Sequence, residues 1–335
     1  MRLCADILHS WGCRTMSEIV QRRDSSLDLL RIIMMLGICA IHAVHQGPIP
    51  TPRWSCLLDV CIGGFVFLSG WFGVRPSVRK ILELCFQGFY GSCIAIIGLY
   101  IITGEWNLLW IGKIFRGYWF LWTYIGLMAF APTLNILVSE FMQGNSMARN
   151  SIYLLLFAAF GWGFGGHIPY VHKIIGIPVG FGMNGIVSFI GIYIAARLFR
   201  LLEVNLSLCK SLVLAFVATI GVFMFRYGGT TSPFSLLAAA SAVVIFRKVV
   251  IPCWLSKLLA WVTPSVFAVY LLHTNPFGFR ILHKLESNMI QEGTSVCMVY
   301  IVVAIVLFAG GTVADIPRRV AIWCFAQCRA GKEHR

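Results

Sequence analysis

Charged residues are scarce in this 335-residue sequence, and acidic residues are the scarcest of them. Only 12% of the residues are charged, with 13 Asp or Glu against 27 Lys or Arg. Soluble domains use roughly one quarter charged residues. Hydrophobic residues make up 59% of the chain, and the mean hydropathy is +0.81. This composition excludes an ordinary soluble protein and predicts a polytopic membrane protein.

Features typical of several other classes are also missing. Residues 1–26 lack the apolar core and cleavage site of a secretory signal. No internal repeat or long linker divides the chain, and no GxSxG nucleophile elbow occurs. We therefore predict one membrane domain, residues 27–316, between an N-terminal tail, 1–26, and a basic tail, 317–335. Its membrane helices are expected to carry the function.

Apolar runs near the ~20 residues that cross a bilayer predict an all-α, polytopic transmembrane bundle of about ten helices. The predicted spans are Leu27–Gln46, Leu57–Val74, Leu84–Thr103, Tyr118–Val138, Ser151–Gly166, Val179–Phe199, Leu208–Phe225, Ser232–Phe246, Leu258–His273 and Val296–Ala314.

The net charge of +14 has a distribution typical of membrane proteins. If the N-terminus is cytoplasmic, most Lys and Arg fall in the tails and in alternate loops on that side, as the positive-inside rule requires. We predict a multi-pass protein of the inner (plasma) membrane with both termini in the cytoplasm. The basic excess then interacts with anionic lipid, and no nucleic-acid partner is needed.

Two ionisable residues share the first predicted span. Arg31 and His42 are separated by ten uncharged residues. Eleven helical steps bring them to the same face, roughly 20° apart and about 16 Å along the axis. Ionisable groups inside a bilayer indicate function by default. A histidine can accept a proton from a hydroxyl, and an arginine suits phosphate oxygens.

Structural explanations for both residues remain open. Arg31 lies near the start of its helix, so it can extend to the lipid headgroups or pair with Asp28 three residues earlier. His42 can be an interfacial histidine that is hydrogen-bonded to a neighbouring helix.

Four segments, in order, resemble the integral-membrane family called acyltransferase type three. They are LDLLRIIMMLGICAIHAVHQG from Leu27, GGFVFLSGWFG from Gly63, YWFLWTYIGLMAFAPTLNIL from Tyr118 and VYLLHTNP from Val269. The arginine, ten-residue, histidine motif of that family falls on Arg31 and His42. The resemblance implies that His42 is catalytic and that Arg31 serves the acyl donor or the architecture of the active site.

The resemblance also implies an activity. Family members typically O-acetylate sugars of bacterial cell-surface polysaccharides with acetyl groups from cytoplasmic acetyl-CoA. We therefore expect acyl-CoA as the donor substrate and a polysaccharide or lipid-linked sugar as the acceptor. Relatives fused to an extracytoplasmic esterase-like domain can pass the acyl group onward. Because this chain lacks such a segment, we expect either direct modification of the acceptor or a separate polysaccharide-assembly partner.

Further candidates come from the same segments and from the loops. Ser69 and Gly70 correspond to the family's SG dipeptide, where close helix packing is the favoured interpretation. Relatives carry two arginines spaced by two residues on the next cytoplasmic loop, whereas this chain has Arg75, Arg79 and Lys80. These cations either contact the phosphates of the donor or are ordinary positive-inside charge.

The predicted outer side holds the remaining candidates. His273 and Asn275 end the ninth span on the side of His42, although Asn275 can simply terminate the helix, and His45 is a substitute base. Trp119 belongs to an aromatic cluster that is either an interfacial belt or a sugar-stacking surface. The histidine spacing matches no metal motif, so no metal is predicted.

A secondary transporter or exporter of a glycan or acyl metabolite is the competing class. Arg31 and His42 would then bind substrate or relay protons without bond making. Transporters often contain inverted repeats, and the two halves of this chain show no convincing repeat. A non-catalytic membrane scaffold is the third alternative.

Overall fold

The fold is known from a computed structural model, which describes residues 24–46, 51–104, 106–165, 185–202, 206–224 and 232–333. Over these residues the protein is all-helical, with no β-strand. The helices, named α1 to α14 in chain order, are Ser25–Gln46, Asp59–Phe72, Val78–Thr103, Leu109–Gly117, Trp119–Met142, Ser146–Gly165, Ile186–Leu201, Leu208–Met224, Pro233–Phe246, Cys253–Val262, Val266–His273, Pro276–Gln291, Val296–Ala314 and Ile316–Glu333. The predicted all-α class is confirmed.

Each predicted span overlaps a helix within the described residues, and residues 166, 179–184 and 225 of these spans lie outside the described ranges. The predicted count of about ten membrane helices is not confirmed. In the described part of the chain, six segments are long and apolar enough to cross a membrane. They are Ser25–His45, Arg53–Phe72, Val78–Thr103, Trp119–Met142, Cys253–His273 and Val296–Cys324. Helices α8 and α9 are apolar but shorter. Hydropathy finds an apolar helix, whereas crossing also requires length.

Helix α1 lies at the centre of the bundle. It packs against α2, α9, α10, α11, α12 and α13. Its buried positions recur at helical spacing, as at Leu27, Leu30, Met34 and Ile38. By contrast, α8 and α13 expose large apolar side chains, such as Phe216 and Ile301. Apolar surface turned outward is typical of helices that contact lipid.

Local chemistry sets several helix boundaries. Ser77 caps α3, because its side chain accepts a hydrogen bond from the Lys80 backbone N–H at 3.2 Å. Pro264 lies in the 3₁₀ turn Thr263–Ser265 that separates α10 from α11. Because proline lacks a backbone donor and interrupts a continuous helix, it divides the predicted ninth span into two helices.

Two ends of the bundle matter for the site. The start of α1 and the ends of α2, α7 and α9 meet at one end, where Asp24, Phe72, Arg200 and Arg247 line a common cleft. We call this the arginine end. The ends of α1 and α11 and the start of α5 meet at the other, which we call the histidine end. Residues 317–333 of the segment predicted as a basic tail lie in α14, and residues 1–23 of the predicted N-terminal tail lie outside the described residues.

Candidate functional site

The strongest feature at the histidine end is a hydrogen bond between two histidines from distant parts of the chain. His42 lies in the last turn but one of α1, and His273 is the last residue of α11. The Nδ1 atom of His42 is 2.9 Å from Nε2 of His273, and the ring centroids are 5.0 Å apart. His273 is buried, whereas His42 is partly exposed. The structure therefore joins two residues that the sequence placed in separate motifs.

A backbone carbonyl fixes the proton positions in this pair. Nδ1 of His273 is 2.6 Å from the carbonyl oxygen of Val269, one helical turn earlier. Since a carbonyl oxygen can only accept, Nδ1 of His273 carries the proton, and its Nε2 is an acceptor in the neutral ring. His42 must then donate from Nδ1. The Nε2 atom of His42 is left with a lone pair, which is the arrangement that a general base requires.

The hydrogen bond to His273 uses Nδ1 of His42 and does not involve Nε2. The imidazole lines a narrow pocket of about 20 Å³, which is room for about one water molecule. The pocket wall is apolar and is formed by Met35, Ile38, Ile62, Phe65, Trp119, Phe120, Phe267 and Tyr270. Few other polar groups in this wall compete with the imidazole for an entering hydroxyl. Because the surroundings are apolar, a hydrogen bond between that hydroxyl and the imidazole is strengthened.

Aromatic side chains form most of this wall. The rings of Tyr270 and Phe279 lie 6.4 and 6.3 Å from the His42 ring. The ring centroids of Phe120 and Tyr270 are 5.4 Å apart, and those of Trp119 and Phe120 are 5.6 Å apart. The structure therefore places predicted Trp119 beside His42 and adds three aromatic neighbours. Together they restrict the orientations available to the imidazole and to anything that enters beside it.

Arg31 lies on the same side of α1 as the pocket. Its guanidinium donates to the Asp28 carboxylate at 2.5 Å and lies 4.8 Å from the centre of the Phe72 ring. Phe72 is two turns along α2 from Phe65, which lines the His42 pocket. Residues seven apart share a helix face, so Arg31 and His42 both face one side of α2. The ion pair with Asp28, foreseen as the structural alternative, is present.

The predicted loop cations lie apart from Arg31 and the His42 pocket. Arg75, Arg79 and Lys80 are exposed. Arg79 pairs with Glu83 at 2.8 Å, and the Lys80 ammonium donates to the Arg75 carbonyl at 3.0 Å. Within the described residues, no hydrogen bond or ion pair joins them to Arg31. Their contacts are those of a solvated surface, and their role toward a donor stays a prediction.

Two other predicted residues are engaged in helix contacts. The Ser69 hydroxyl donates to the Phe65 carbonyl at 3.1 Å and lies 3.2 Å from the Tyr124 hydroxyl. Asn275 caps α12, because its side-chain oxygen accepts from the Gly278 N–H at 2.9 Å. Its amide nitrogen also donates to two carbonyls of α11. Both arrangements fit the packing and termination roles considered for these residues.

His45 lies one turn beyond His42 and is exposed, so it shares the histidine end but not the hydrogen-bonded pair. Over the described ranges, no group of three or more His, Cys, Asp or Glu side chains is placed to hold a metal ion.

Sequence reasoning missed Val269, Tyr270 and Phe120 as parts of the site. One local signal was available, because Val269 precedes His273 by four residues and a helix places that carbonyl beside the imidazole. The aromatic neighbours gave no such signal.

Comparisons with known protein families, curated proteins and solved structures find no match for this chain.

Proposed function

We propose that this protein is a membrane O-acyltransferase. It transfers an acyl group, acetyl in the simplest form, from cytoplasmic acyl-CoA to a hydroxyl of a cell-surface or exported polysaccharide sugar. The observation that supports this function best is the orientation of His42. Its Nδ1 is bonded to His273, and its Nε2 is left as a proton acceptor in an aromatic pocket. The resemblance of four ordered segments to acyltransferases of type three supplies the reaction.

The proposed reaction is a direct transfer. Nε2 of His42 accepts the proton of the sugar hydroxyl while the hydroxyl oxygen attacks the thioester carbon. The new C–O bond forms and the C–S bond breaks, and the departing thiolate takes the proton from the imidazolium. The products are the acyl ester and free CoA, and no external oxidant or reductant is involved. His273 stabilises the transient charge, because its Nε2 keeps accepting from Nδ1 of His42.

Arg31 is proposed to act on the donor. It lies about 16 Å from His42 along α1, toward the arginine end. A long donor can therefore place an anionic group near the guanidinium while its thioester approaches the imidazole. Although Asp28 takes one N–H of Arg31, the guanidinium has five donors, so capacity for a phosphate oxygen remains.

Replacing His42 with Ala tests the proposal. Membranes that contain the protein are incubated with labelled acetyl-CoA and isolated surface polysaccharide, and label in the glycan is counted. We expect His42→Ala to lower the transfer rate by at least about 100-fold, because general-base catalysis contributes on this order. His283→Ala is the matched control, since His283 is an exposed histidine of α12.

Thermal unfolding of both variants shows whether the fold is retained. Adding His45→Ala to His42→Ala tests His45 as the substitute base, because any residual transfer should then disappear. Undiminished labelling by a folded His42→Ala protein would remove His42 as the base. If the native protein exports glycan without labelling it, the transporter class is favoured instead.

A further inference from the structure

Three arginines converge on one cleft at the arginine end. Arg197 and Arg200 come from the last turns of α7, and Arg247 follows the last residue of α9. The cleft has a volume of about 260 Å³ and is lined by these three residues with Asp24, Trp71 and Phe72. Its wall is therefore strongly cationic.

The charge in this cleft is not balanced by the described residues. Asp24 is the one acidic residue of the lining, and it caps α1 by accepting from the Ser26 hydroxyl at 2.6 Å and the Leu27 N–H at 3.3 Å. Within the described ranges, none of the three arginines forms an ion pair. Like charges held together raise the free energy of the site, and a bound anion relieves this repulsion.

An aromatic ring holds two of the cations in place. The guanidinium groups of Arg200 and Arg247 lie 4.8 and 5.1 Å from the centre of the Trp71 ring. Cation–π contacts orient a guanidinium without using its N–H groups, all of which remain able to donate. Trp71 therefore presents two planar donor sets from two different helices.

The third cation depends on a glycine. A Cβ built on Gly73 would lie 2.8 Å from Cζ of Arg197, and Gly73 has a φ of +70°. Only glycine takes this backbone conformation readily and leaves this space. The Nε atom of Arg197 is buried and has no hydrogen-bond partner among the described residues. Such a donor is costly to leave unmet.

Arginines in last helical turns also complement the helix dipole. The helix dipole alone does not explain why three arginines line one cavity or why two of them contact the same ring. It also does not explain why a buried Nε–H lacks a partner among the described residues. From these observations together, we propose that the cleft formed by Arg197, Arg200 and Arg247 binds a phosphate-bearing anion. Guanidinium groups match phosphate oxygens because they offer two parallel N–H donors.

The cleft is directly connected to the residues already described. Phe72 lines the cleft and lies under the Arg31 guanidinium. The phosphates of a donor bound there would lie beyond Arg31 on the side away from His42. Assigning the anion to the acyl-CoA donor rests on the proposed function, whereas the preference for phosphate rests on the cleft alone.

Calorimetry on the full chain in phosphatidylcholine nanodiscs tests the site, with CoA and 3′-dephospho-CoA as probes. We expect CoA to bind more tightly than 3′-dephospho-CoA. Arg200→Gln and Arg247→Gln should each lower the affinity for CoA about tenfold, since each removes charge-assisted hydrogen bonds. The matched control is Arg149→Gln, an exposed arginine near the start of α6 that does not line the cleft.

Nanodiscs that contain phosphatidylglycerol form the second arm. If this lipid binds the native protein in place of CoA, and both Gln variants lose that binding, the phosphate comes from a lipid headgroup. Equal binding of both phosphate sources by native and Gln variants, or an equal loss in Arg149→Gln, would overturn the site. His42→Ala should keep CoA binding while losing transfer, so failure of the proposed function and failure of the cleft give different results.

Discussion

At the scale of single residues, the proposed role of His42 depends on a backbone carbonyl that contacts His273 and not His42 itself. The Val269 carbonyl fixes the proton on Nδ1 of His273, and His273 then accepts from Nδ1 of His42. Three of the four ring nitrogens therefore have a partner in these two hydrogen bonds, and Nε2 of His42 is the fourth. In enzymes that use a similar chain, a wrong tautomer costs activity even when the geometry is intact. In the proposed reaction, His273 is thus a positioning residue.

Replacing His273 tests this positioning. His273→Phe fills the space without an acceptor, and we expect kcat to fall about 100-fold while the KM for the donor stays unchanged. His273→Gln should recover part of the loss, because an amide can accept from His42 and donate to Val269. The pH profile of kcat should shift in His273→Phe. Equal rates in the Phe and Gln variants would contradict a role through hydrogen bonding.

A second residue-scale prediction concerns Glu286 in α12. Its carboxylate oxygens are buried without a hydrogen-bond partner among the described residues, and burial raises the pKa of Glu286 to about 7. Because this value lies above the ordinary value of 4.5, the protonated form stabilises the fold. That contribution is complete below about pH 4.5 and is lost as the pH rises through about 7.

Glu286→Gln should therefore flatten the pH dependence of the unfolding free energy between those values. At pH 8 we expect the variant to be more stable than the native protein by up to about 3 kcal/mol. Thermal unfolding at pH 5 and pH 8 measures the effect. Glu292→Gln, at an exposed position just after the same helix, is the control. A native protein whose stability rises between pH 5 and pH 8 would contradict the sign.

At the scale of helices, close approach is set by small residues. A Cβ on Gly70 would lie 2.5 Å from the Tyr193 carbonyl oxygen and 2.8 Å from the Ala196 side chain. Gly70 therefore lets α2 and α7 pack with their backbones in near contact. This contact also sets the positions of Trp71 and Arg197, so the helix crossing shapes the cleft. The packing role favoured for the SG dipeptide matches this geometry.

Gly70→Ala should separate the two helices. Because the obstructing atom is backbone, relief requires a helix shift, and we expect a loss of about 1–3 kcal/mol in stability. Gly310→Ala is the matched change in α13, where a Cβ meets nothing within 4 Å. Unfolding temperatures in detergent compare the two variants. If both behave alike, close packing is not the reason for glycine at position 70.

At the scale of the whole molecule, the arginine cleft, Arg31 and the His42 pocket follow one another through the bundle. The arginine cleft adjoins Phe72, Phe72 contacts Arg31, and Arg31 shares a face of α1 with the His42 pocket. The guanidinium groups of the cleft lie at one end of this series of residues, and the proton acceptor His42 lies at the other. This polarity fits a protein that takes an anionic donor on one side of the membrane and an acceptor on the other.

Exposed free cysteines allow the orientation of the protein in the membrane to be measured. Cys209 and Cys253 are exposed at helix starts near the arginine end, and Cys297 is exposed in the first turn of α13 at the other end. With the arginine end cytoplasmic, a membrane-impermeant maleimide added to intact cells should modify Cys297 alone among the three. Peptide mass spectrometry identifies the labelled residues. Labelling of Cys253 before permeabilisation would reverse the orientation and place the cleft outside.

Much of the fold was predictable because it depends on local properties of the chain. Apolar runs predicted the positions of the helices, and the spacing of Arg31 and His42 placed them on one face of α1. The number of helices that cross the membrane was less predictable, because helix length decides it. The short helices α8 and α9 show this limit.

The sequence by itself determined that the protein is an all-helical membrane protein with a cation and a histidine on one helix face. Hydropathy and helical period fix these properties within about twenty consecutive residues. Only the tertiary structure brought His273 to His42 across 231 positions and gathered Arg197 and Arg247 into one cleft. Such contacts depend on how separate helices pack, and no local pattern encodes the partner of a given face.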